Sequence, residues 1–443
     1  MNNIGKAAVA RDNANVHYGG VQMRNTMRIL GLTLTAVVAA SGCSQKEEAA
    51  KAASGQAPDN RPVTVVAELS AAYKETFDRY LVPVLQSKLP HITLEYQDQK
   101  PSLQEKIVAG TVPDIVLPNG NLRPILDLNL QYDLTELIKK YNFDLTKLDP
   151  SLIKSIQAYG TKGEIYALPG DRSVKVLLYN KDIFNKFNVP YPKDGMSWEE
   201  VIALAKRLTR TDNGVNYYGL NPSSNGFLKS QLQLPVFDKD DKAQLHTQGW
   251  QLLASTWKAI YDIPGNNATG AARDLFSKDR NTAMLINNSS WLLRNSLPDF
   301  NWDYVTMPTF DNKLVSDLFG SSFSITSGSK VKDAAFQVIS LYYSDEVQTA
   351  ISKDAALVIG STVPDIQKQY GVNVAAAQGK NVKADFGGQA ATKVVEPFDY
   401  VANPILNEAF NAIAAGKTDI NTALREAEEK VNLKVLEEKA RLK

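Results

Sequence analysis

Apolar and polar positions alternate with two periods along this chain, and the alternation sets its architecture. The run Val63-Thr-Val-Val-Ala67 is β-branched, residues 71–89 carry apolar positions at helical spacing, and Ile92-Thr-Leu-Glu-Tyr96 alternates with a period of two. These predict a strand, a helix and a second strand. A third apolar run, Asp114-Ile-Val-Leu117, predicts a strand that ends in the polar loop Pro118-Asn119-Gly120-Asn121. In open α/β sheets, ligands bind beyond such carboxyl ends. Helical patterns follow at 133–141, 197–209, 249–261 and 332–343, and a last helix from residue 419 places Ile420, Leu424, Ala427, Val431 and Val435 on one face. No repeat of fixed period interrupts the order, so the pattern predicts an α/β fold.

Upstream of this region lies a different pattern. Residues 29–40 are twelve mostly apolar positions preceded by Arg24 and Arg28, the length of an export-signal core and too short for a spanning helix of roughly 20 residues. They end in Ala40-Ser41-Gly42-Cys43, which resembles the lipobox of bacterial lipoproteins, with Ala40 where leucine is usual. The expectation is a leader over 1–42, with Met23 or Met27 as alternative starts, and a mature chain lipid-anchored through acylated Cys43 outside the cytoplasm. A buried thiol at the end of a core helix is the structural alternative. Residues 43–60 hold no bulky apolar side chain and read as a flexible tether.

Composition narrows the function classes. The chain has 49 Lys and Arg against 48 Asp and Glu; removal of residues 1–42 leaves 45 against 47, a charge of −2 over 401 residues, which gives no footprint for nucleic acid. A single cysteine excludes an intrachain disulfide, so packing alone must hold what is expected to be two lobes. Only His91 and His246 follow the leader, at no zinc spacing, and no Gly-x-Ser-x-Gly elbow is present. Ser151-Leu-Ile-Lys154 and Ser327-Gly-Ser-Lys330 fit Ser-x-x-Lys without an accompanying Lys-Thr-Gly. Gly416-Lys-Thr418 lacks the leading glycine of a phosphate loop and reads as a helix-to-helix turn. Asp238-Lys-Asp-Asp241 lacks the glycine and glutamate of a calcium loop and reads as a solvated turn. No cofactor or metal is expected.

A family resemblance emerges from blocks in the middle of the chain. Val112-Pro-Asp-Ile-Val116, Tyr166-Ala-Leu-Pro169, Leu178-Tyr-Asn-Lys-Asp-Ile-Phe184 and Pro192-Lys-Asp-Gly-Met-Ser-Trp-Glu-Glu-Val201 are followed by Ala283-Met-Leu-Ile-Asn-Asn-Ser-Ser-Trp291 and Gly320-Ser-Ser-Phe-Ser-Ile325. In this order they resemble the family 1 extracellular solute-binding proteins, the receptors of carbohydrate ABC importers, over most of residues 61–440. The resemblance implies a two-lobed periplasmic-binding-protein-like (type II) fold with a multi-strand hinge, crossing near 170–174, 320–324 and 360–364. Lobe one would be 61–170 plus 323–360 and lobe two 171–322 plus 361–443. It implies a monomeric receptor that does no chemistry, closes on a solute, and presents the closed form to the permease transmembrane subunits.

A sugar presents hydroxyls that need paired donors and acceptors, and C–H faces that need a flat apolar surface. Trp291 matches the family position of a stacking tryptophan, with Asn288 and Ser290 beside it; a core role in the following helix is the alternative. The resemblance points to Asn119 and Asn121 in the first lobe, Asp171, Arg172 and Ser173 at the first crossing, and Gly320 and Ser321 at the second. Arg172 could clamp a carboxylate bidentately, as of a uronic acid, or form a salt bridge with Asp171 nearby. Ser173 stands where maltose-binding members have glutamate, which puts a maltodextrin ligand in doubt. Asn403 stands where those members have tryptophan, so the resemblance implies that Phe398 or Tyr400 substitutes by a shifted register, or that Phe398 packs, and Asn221 and Phe227 are further candidates. Trp198 reads as structural behind the capping Ser197. Trp250 and Trp257 form either a core stripe or a stacking rail, and Trp302 reads as scaffold. Two other classes share the same leader: an exported carbohydrate-active enzyme with paired carboxylates, and a sensory lipoprotein coupled to a membrane kinase.

Overall fold

The computed structural model describes residues 61–441 apart from 295–296, 298, 312, 314, 317–319, 355–356 and 391–395. The leader, Cys43 and the tether lie outside the described residues. The strands run in chain order as β1 (Val63–Glu68), β2 (Ile92–Gln97), β3 (Ile115–Val116), β4 (Leu168–Pro169), β5 (Val176–Asn180), β6 (Arg210–Asp212), β7 (Val215–Tyr217), β8 (Met284–Asn287), β9 (Trp302–Thr306), β10 (Val315–Ser316), β11 (Ser322–Ile325) and β12 (Gln389–Ala390).

The β-branched opening forms as expected. β1 pairs in parallel with β2 and β3, and the sheet continues through β11 to β4 in the order β2-β1-β3-β11-β4, with β11 antiparallel to both neighbours. The amphipathic stretch 71–89 is helical from Ala71 to Lys88, with a π-helical turn at Phe77–Leu81 before Pro83. Beneath the first sheet, Glu68 and Lys106 form a buried ion pair, and the Lys106 ammonium also donates to the Asp98 carbonyl. That second acceptor helps offset the desolvation of the charge.

The second sheet is antiparallel in the order β8-β5-β9. All five residues of β5 are buried, and its two faces serve two different cores. Val176 and Leu178, with Leu285, Trp302 and Tyr304, pack into a cluster that reaches β1, β3 and the helix Lys332–Tyr342. Leu177 and Tyr179, with Met284, Ile286 and Val305, pack into a second cluster around the helices Trp198–Leu208, Gln248–Tyr261, Asp399–Ala414 and Ile420–Arg441. The period-two alternation is thus present without a polar face.

The sequence grouped 361–443 together, but the structure divides this stretch between the clusters. Ile366, Tyr370, Ala377 and Ala384 lie in the first, whereas Phe398 and the helices after it lie in the second. The apolar run Leu357-Val358-Ile359 explains why the chain stays in the first cluster beyond residue 360, since all three side chains are buried there.

Several tryptophans are structural. Trp198 follows a capping box between Ser197 and Glu200, and its indole donates to Gln231 Oε1 at 2.9 Å. Trp250 and Trp257 are buried and donate to the carbonyls of Pro235 and Phe410, so they form a core stripe rather than a rail. Trp302 opens β9 and stacks on Tyr304. Gly416, at φ 64°, turns the chain between the last two helices, and Asp238 closes its turn by accepting from the backbone of Asp240 and Lys242.

Two segments meet where the first sheet hands over to the second. The Ser321 carbonyl accepts from the Gly170 N–H at 2.7 Å, and the Ser321 N–H donates to the Asp171 carboxylate at 2.5 Å. Tyr342 and Tyr343 donate their hydroxyls to the carbonyls of Gly170 and Pro169, and the Arg172 N–H donates to the Val358 carbonyl at 2.7 Å. A Cβ on Gly320 would stand 2.3 Å from Asp171 Oδ1 and 2.8 Å from the Asp171 carbonyl. Gly320→Ala should therefore displace the Asp171 contact and cost about 1–3 kcal/mol in chemical denaturation; an unchanged midpoint and slope would show that the two segments are not in this contact.

Candidate functional site

Strand register brings the candidate residues to one edge. β5 and β8 are antiparallel with Val176 opposite Asn287, so the residues before β5 and those after β8 emerge together. Asn221 runs alongside β8, its N–H donating to the Met284 carbonyl and its own carbonyl accepting from the Ile286 N–H. This carries the following helix, Asn225–Gln231, to the same edge.

A continuous polar chain results. Lys175 Nζ donates to Ser173 Oγ at 2.8 Å and lies 5.0 Å from the centre of the Phe227 ring. Asn288 Nδ2 donates to the same Ser173 Oγ at 3.3 Å, and the Asn288 N–H donates to Asn287 Oδ1 at 2.9 Å. Arg273 donates to Asn287 Oδ1 at 3.1 Å, and its guanidinium lies 5.1 Å from the centre of the half-buried Trp291 ring. Ser290 opens the short helix Ser290–Arg294 that carries Trp291, and is half-buried. The cluster therefore contains two aromatic faces, short hydroxyl and amide groups, and two cations.

The first-lobe edge is set by β3 and β11. Asn119 forms a β-bridge with Ser321, and the Gly120 N–H donates to the Gly320 carbonyl at 2.9 Å. Asn121 is exposed, and its Oδ1 accepts from the Arg123 N–H and the Tyr159 hydroxyl. Gly320 and Ser321 hold the crossing by backbone contacts, and Asp171 is their acceptor.

Three expected contacts are placed elsewhere. Arg172 is buried, paired with Asp149 at 3.7 Å rather than with Asp171, and lies in the field of Asp385; burial lowers its pKa from the usual arginine value. It is a structural cation, not an open clamp. Phe398 is buried against Phe237, with Lys439 over its ring, because it precedes the apolar face of the helix Asp399–Ala414. Tyr400 is exposed and donates to Glu438 on the last helix. Asn221 is close to the cluster, but its Oδ1 accepts from the Ser223 N–H.

Lys175, Arg273 and Asp385 were not singled out from the sequence. A lysine immediately before the wholly apolar run Val176-Leu-Leu-Tyr179 was the available signal for Lys175. The other two are brought in by distant segments. Asp385 is fully buried, accepting from Ser289 Oγ at 2.6 Å and from the Tyr304 hydroxyl at 2.7 Å. Among the described residues no group of three or more His, Cys, Asp or Glu is placed to hold a metal, and no helix is long and apolar enough to cross a membrane.

Two sheets joined by crossing segments, with aromatic and amide groups gathered at a strand edge, define a two-lobed ligand-binding protein. The chain belongs to the bacterial extracellular solute-binding protein family, whose profile matches residues 66–349. This is a family of receptors that work outside the cytoplasm, not of enzymes. Among curated relatives, the sn-glycerol-3-phosphate-binding periplasmic protein UgpB of Brucella abortus is 23% identical over 414 residues, covering 83% of this chain and 89% of its own. An ABC substrate-binding protein of Listeria monocytogenes, solved in complex with cycloalternan, superposes with a TM-score of 0.69 at 21% identity, over 84% of this chain and 99% of its own. The sugar-binding protein MalE of Xanthomonas citri gives 0.68 at 16% identity, over 86% and 99%. These likenesses carry the two-lobed fold.

Burial pushes the Asp385 carboxyl up to about 6, although Ser289, Tyr304 and Arg172 oppose the shift. Below about pH 4 the group is protonated in both states. Between about pH 4 and 6 the unfolded chain has released the proton and the folded chain still holds it, so raising the pH favours unfolding. Asp385→Asn removes this contribution. The melting temperature of the variant relative to the parent should rise between pH 4 and 7; a constant difference would contradict the placement of Asp385.

Proposed function

We propose that this chain is the receptor of an ABC importer for a polyhydroxylated solute, an oligosaccharide or a related glycoside, anchored outside the cytoplasm by acylated Cys43. The observation that supports the ligand class best is the cluster of Trp291, Asn288 and Ser173: a flat apolar face next to an amide and a hydroxyl already joined to each other. That pairing meets the two surfaces of a sugar. The relatives agree in kind, since one is named for sn-glycerol 3-phosphate and the solved neighbours include complexes with cycloalternan and mannobiose.

Function then follows from differential affinity. A ligand that touches both Asn119 and Asn121 on one side and the Trp291 cluster on the other binds the closed arrangement more tightly and shifts the population toward it. The permease transmembrane subunits recognise that form, and the receptor acts as a monomer.

A thermal-shift screen of the chain from Ser44 against oligosaccharides, polyols, amino acids and short peptides tests the ligand class. A ligand at 100 times its dissociation constant adds about 2.7 kcal/mol of stability. A large shift with one carbohydrate, recovered unchanged, is the expected outcome. Sugar cleavage would point to an enzyme, and response only to amino acids or peptides would contradict the carbohydrate reading. Trp291→Ala should weaken sugar binding by roughly 1.5–3 kcal/mol, and unchanged affinity in a folded variant would remove Trp291 from the site. For the anchor, the parent should be labelled by palmitate and sediment with membranes, whereas Cys43→Ser should be unlabelled; labelling of the variant would overturn acylation at Cys43.

A further inference from the structure

The helix that carries Trp291 also borders a cavity of about 660 Å³. Arg294 lines it from that helix; Glu75, Arg79 and Tyr80 line it from the helical stretch 71–81; and Asp354 and Asn373 line it from the segment after the helix Asp345–Lys353. Arg294 follows Trp291 at i+3, and residues so spaced are neighbours on a helix surface, so the cavity begins where the aromatic face ends. Its lining is distinct from Trp291, Asn288 and Ser173. The volume lies within the range of roughly 300–1,000 Å³ that ligand pockets occupy, so there is room here in addition to the face on which one ring would stack. The stretch 71–81 follows β1 and the Trp291 helix follows β8, so elements of both sheets border the cavity.

The lining is ordered in advance. The Asp354 carboxylate accepts from the Tyr80 hydroxyl at 2.7 Å and from Asn373 Nδ2 at 2.7 Å, and it pairs with the Arg79 guanidinium at 2.9 Å. A guanidinium and an amide are thereby fixed before a ligand arrives, which lowers the cost of ordering them on binding. Contact with one carboxylate does not exhaust the N–H donors of a guanidinium or the polar atoms of an amide. Glu75, Arg79, Asn373 and Arg294 are exposed, so their polar ends can be reached. Adjacent hydroxyls of a sugar set donor and acceptor side by side, and planar carboxylate, guanidinium and amide groups meet them with paired hydrogen bonds. The charges of the lining also balance, with Arg79 and Arg294 against Glu75 and Asp354. A net charge on the ligand would be attracted by one pair and opposed by the other, whereas neutral hydroxyls bond to both.

We propose that this cavity is a second sugar subsite, which takes the neutral part of the chain that follows the ring at Trp291, and that the ligand is a neutral oligosaccharide rather than a monosaccharide. The assignment rests on the carbohydrate reading above and adds length and charge to it. Trp291, Asn288 and Ser173 hold one ring, while Glu75, Arg79, Asn373 and Arg294 hold the hydroxyls beyond it.

Calorimetric titration of the chain from Ser44 with saccharides of graded length tests this. The panel comprises glucose, maltose and maltotriose; mannose, mannobiose and mannotriose; and, for each disaccharide, a counterpart with a uronate as its terminal ring. In the series that binds, the trisaccharide should bind roughly tenfold tighter than the monosaccharide or better, because the second subsite is engaged within one complex. The acidic disaccharide should bind no tighter than the neutral one. Glu75→Ala and Arg294→Ala should each weaken the trisaccharide roughly fivefold more than the shortest saccharide that binds, with the melting temperature nearly unchanged, whereas Trp291→Ala should weaken every member by a similar factor. A monosaccharide that binds as tightly as its trisaccharide, or a length dependence unaltered in both alanine variants, would overturn the second subsite and leave the carbohydrate reading standing. Tighter binding of the acidic disaccharides would overturn the neutral assignment. Silence toward every saccharide would overturn the subsite and the carbohydrate reading together.

Discussion

The contact between Asp171 and the Ser321 peptide is the constraint on which the arrangement of the site depends. Ser321 is held from both sides: its N–H by the Asp171 carboxylate and its carbonyl by the Gly170 N–H. One residue later β11 enters the first sheet between β3 and β4, and five residues after Asp171 the chain enters β5 at the centre of the second sheet. The same short contact therefore sets where Asn119 and Asn121 stand, through the bridge to Ser321, and where Ser173 and Lys175 leave the crossing. Glycine at 320 follows from this closeness, since a Cβ there would overlap the Asp171 side chain. Burial pushes the Asp171 carboxyl up to about 6, and its bond from the Ser321 N–H opposes that shift. The contact is thus sensitive to acid as well as to added bulk.

Rigidity on either side of the crossing comes from the apolar faces of β5. Its odd and even residues feed two cores, and the first of these also contains β1, β3 and Phe323. Aromatic packing of Tyr73, Phe77, Phe323 and Tyr342, with ring centres 4.8–6.5 Å apart, backs the crossing, and the hydroxyls of Tyr343 and Tyr342 satisfy the carbonyls of Pro169 and Gly170. The buried Arg172 and Asp385 and the half-buried Asp149 complete the support behind the site as charges with named partners. Removing one partner of such a set costs far more than replacing the whole set by apolar groups. The polar groups of the strand-edge cluster are thereby backed by charges buried behind them.

Much of this was legible in the sequence because it is local. The strands at 63, 92 and 115, the capping box at Ser197 and Glu200, the last helix and the structural roles of Trp198, Trp250 and Trp257 follow from periodicity and capping within a few residues. Asn288 and Ser173 were named, although nothing local showed that they would touch. The misplacements have one physical cause. Arg172 was left between a carboxylate clamp and a salt bridge with Asp171, because its partner Asp149 and the field of Asp385 come from 23 and 213 residues away. Phe398 was left between the site and packing, and Tyr400 was a site candidate, because Phe237 and Glu438, which engage them, come from other segments. Lys175 and Arg273 were overlooked because a cation becomes meaningful only when register brings an aromatic face beneath it.

The central claim is that a sugar-like solute closes two lobes about the crossing at Asp171 and Ser321. Small-angle X-ray scattering of the chain from Ser44, with and without a saturating carbohydrate found to bind it, tests this most directly. The account predicts a smaller radius of gyration in the bound state, and Gly320→Ala should alter the unbound value. A radius of gyration unchanged by a ligand shown to be bound would contradict closure about this crossing.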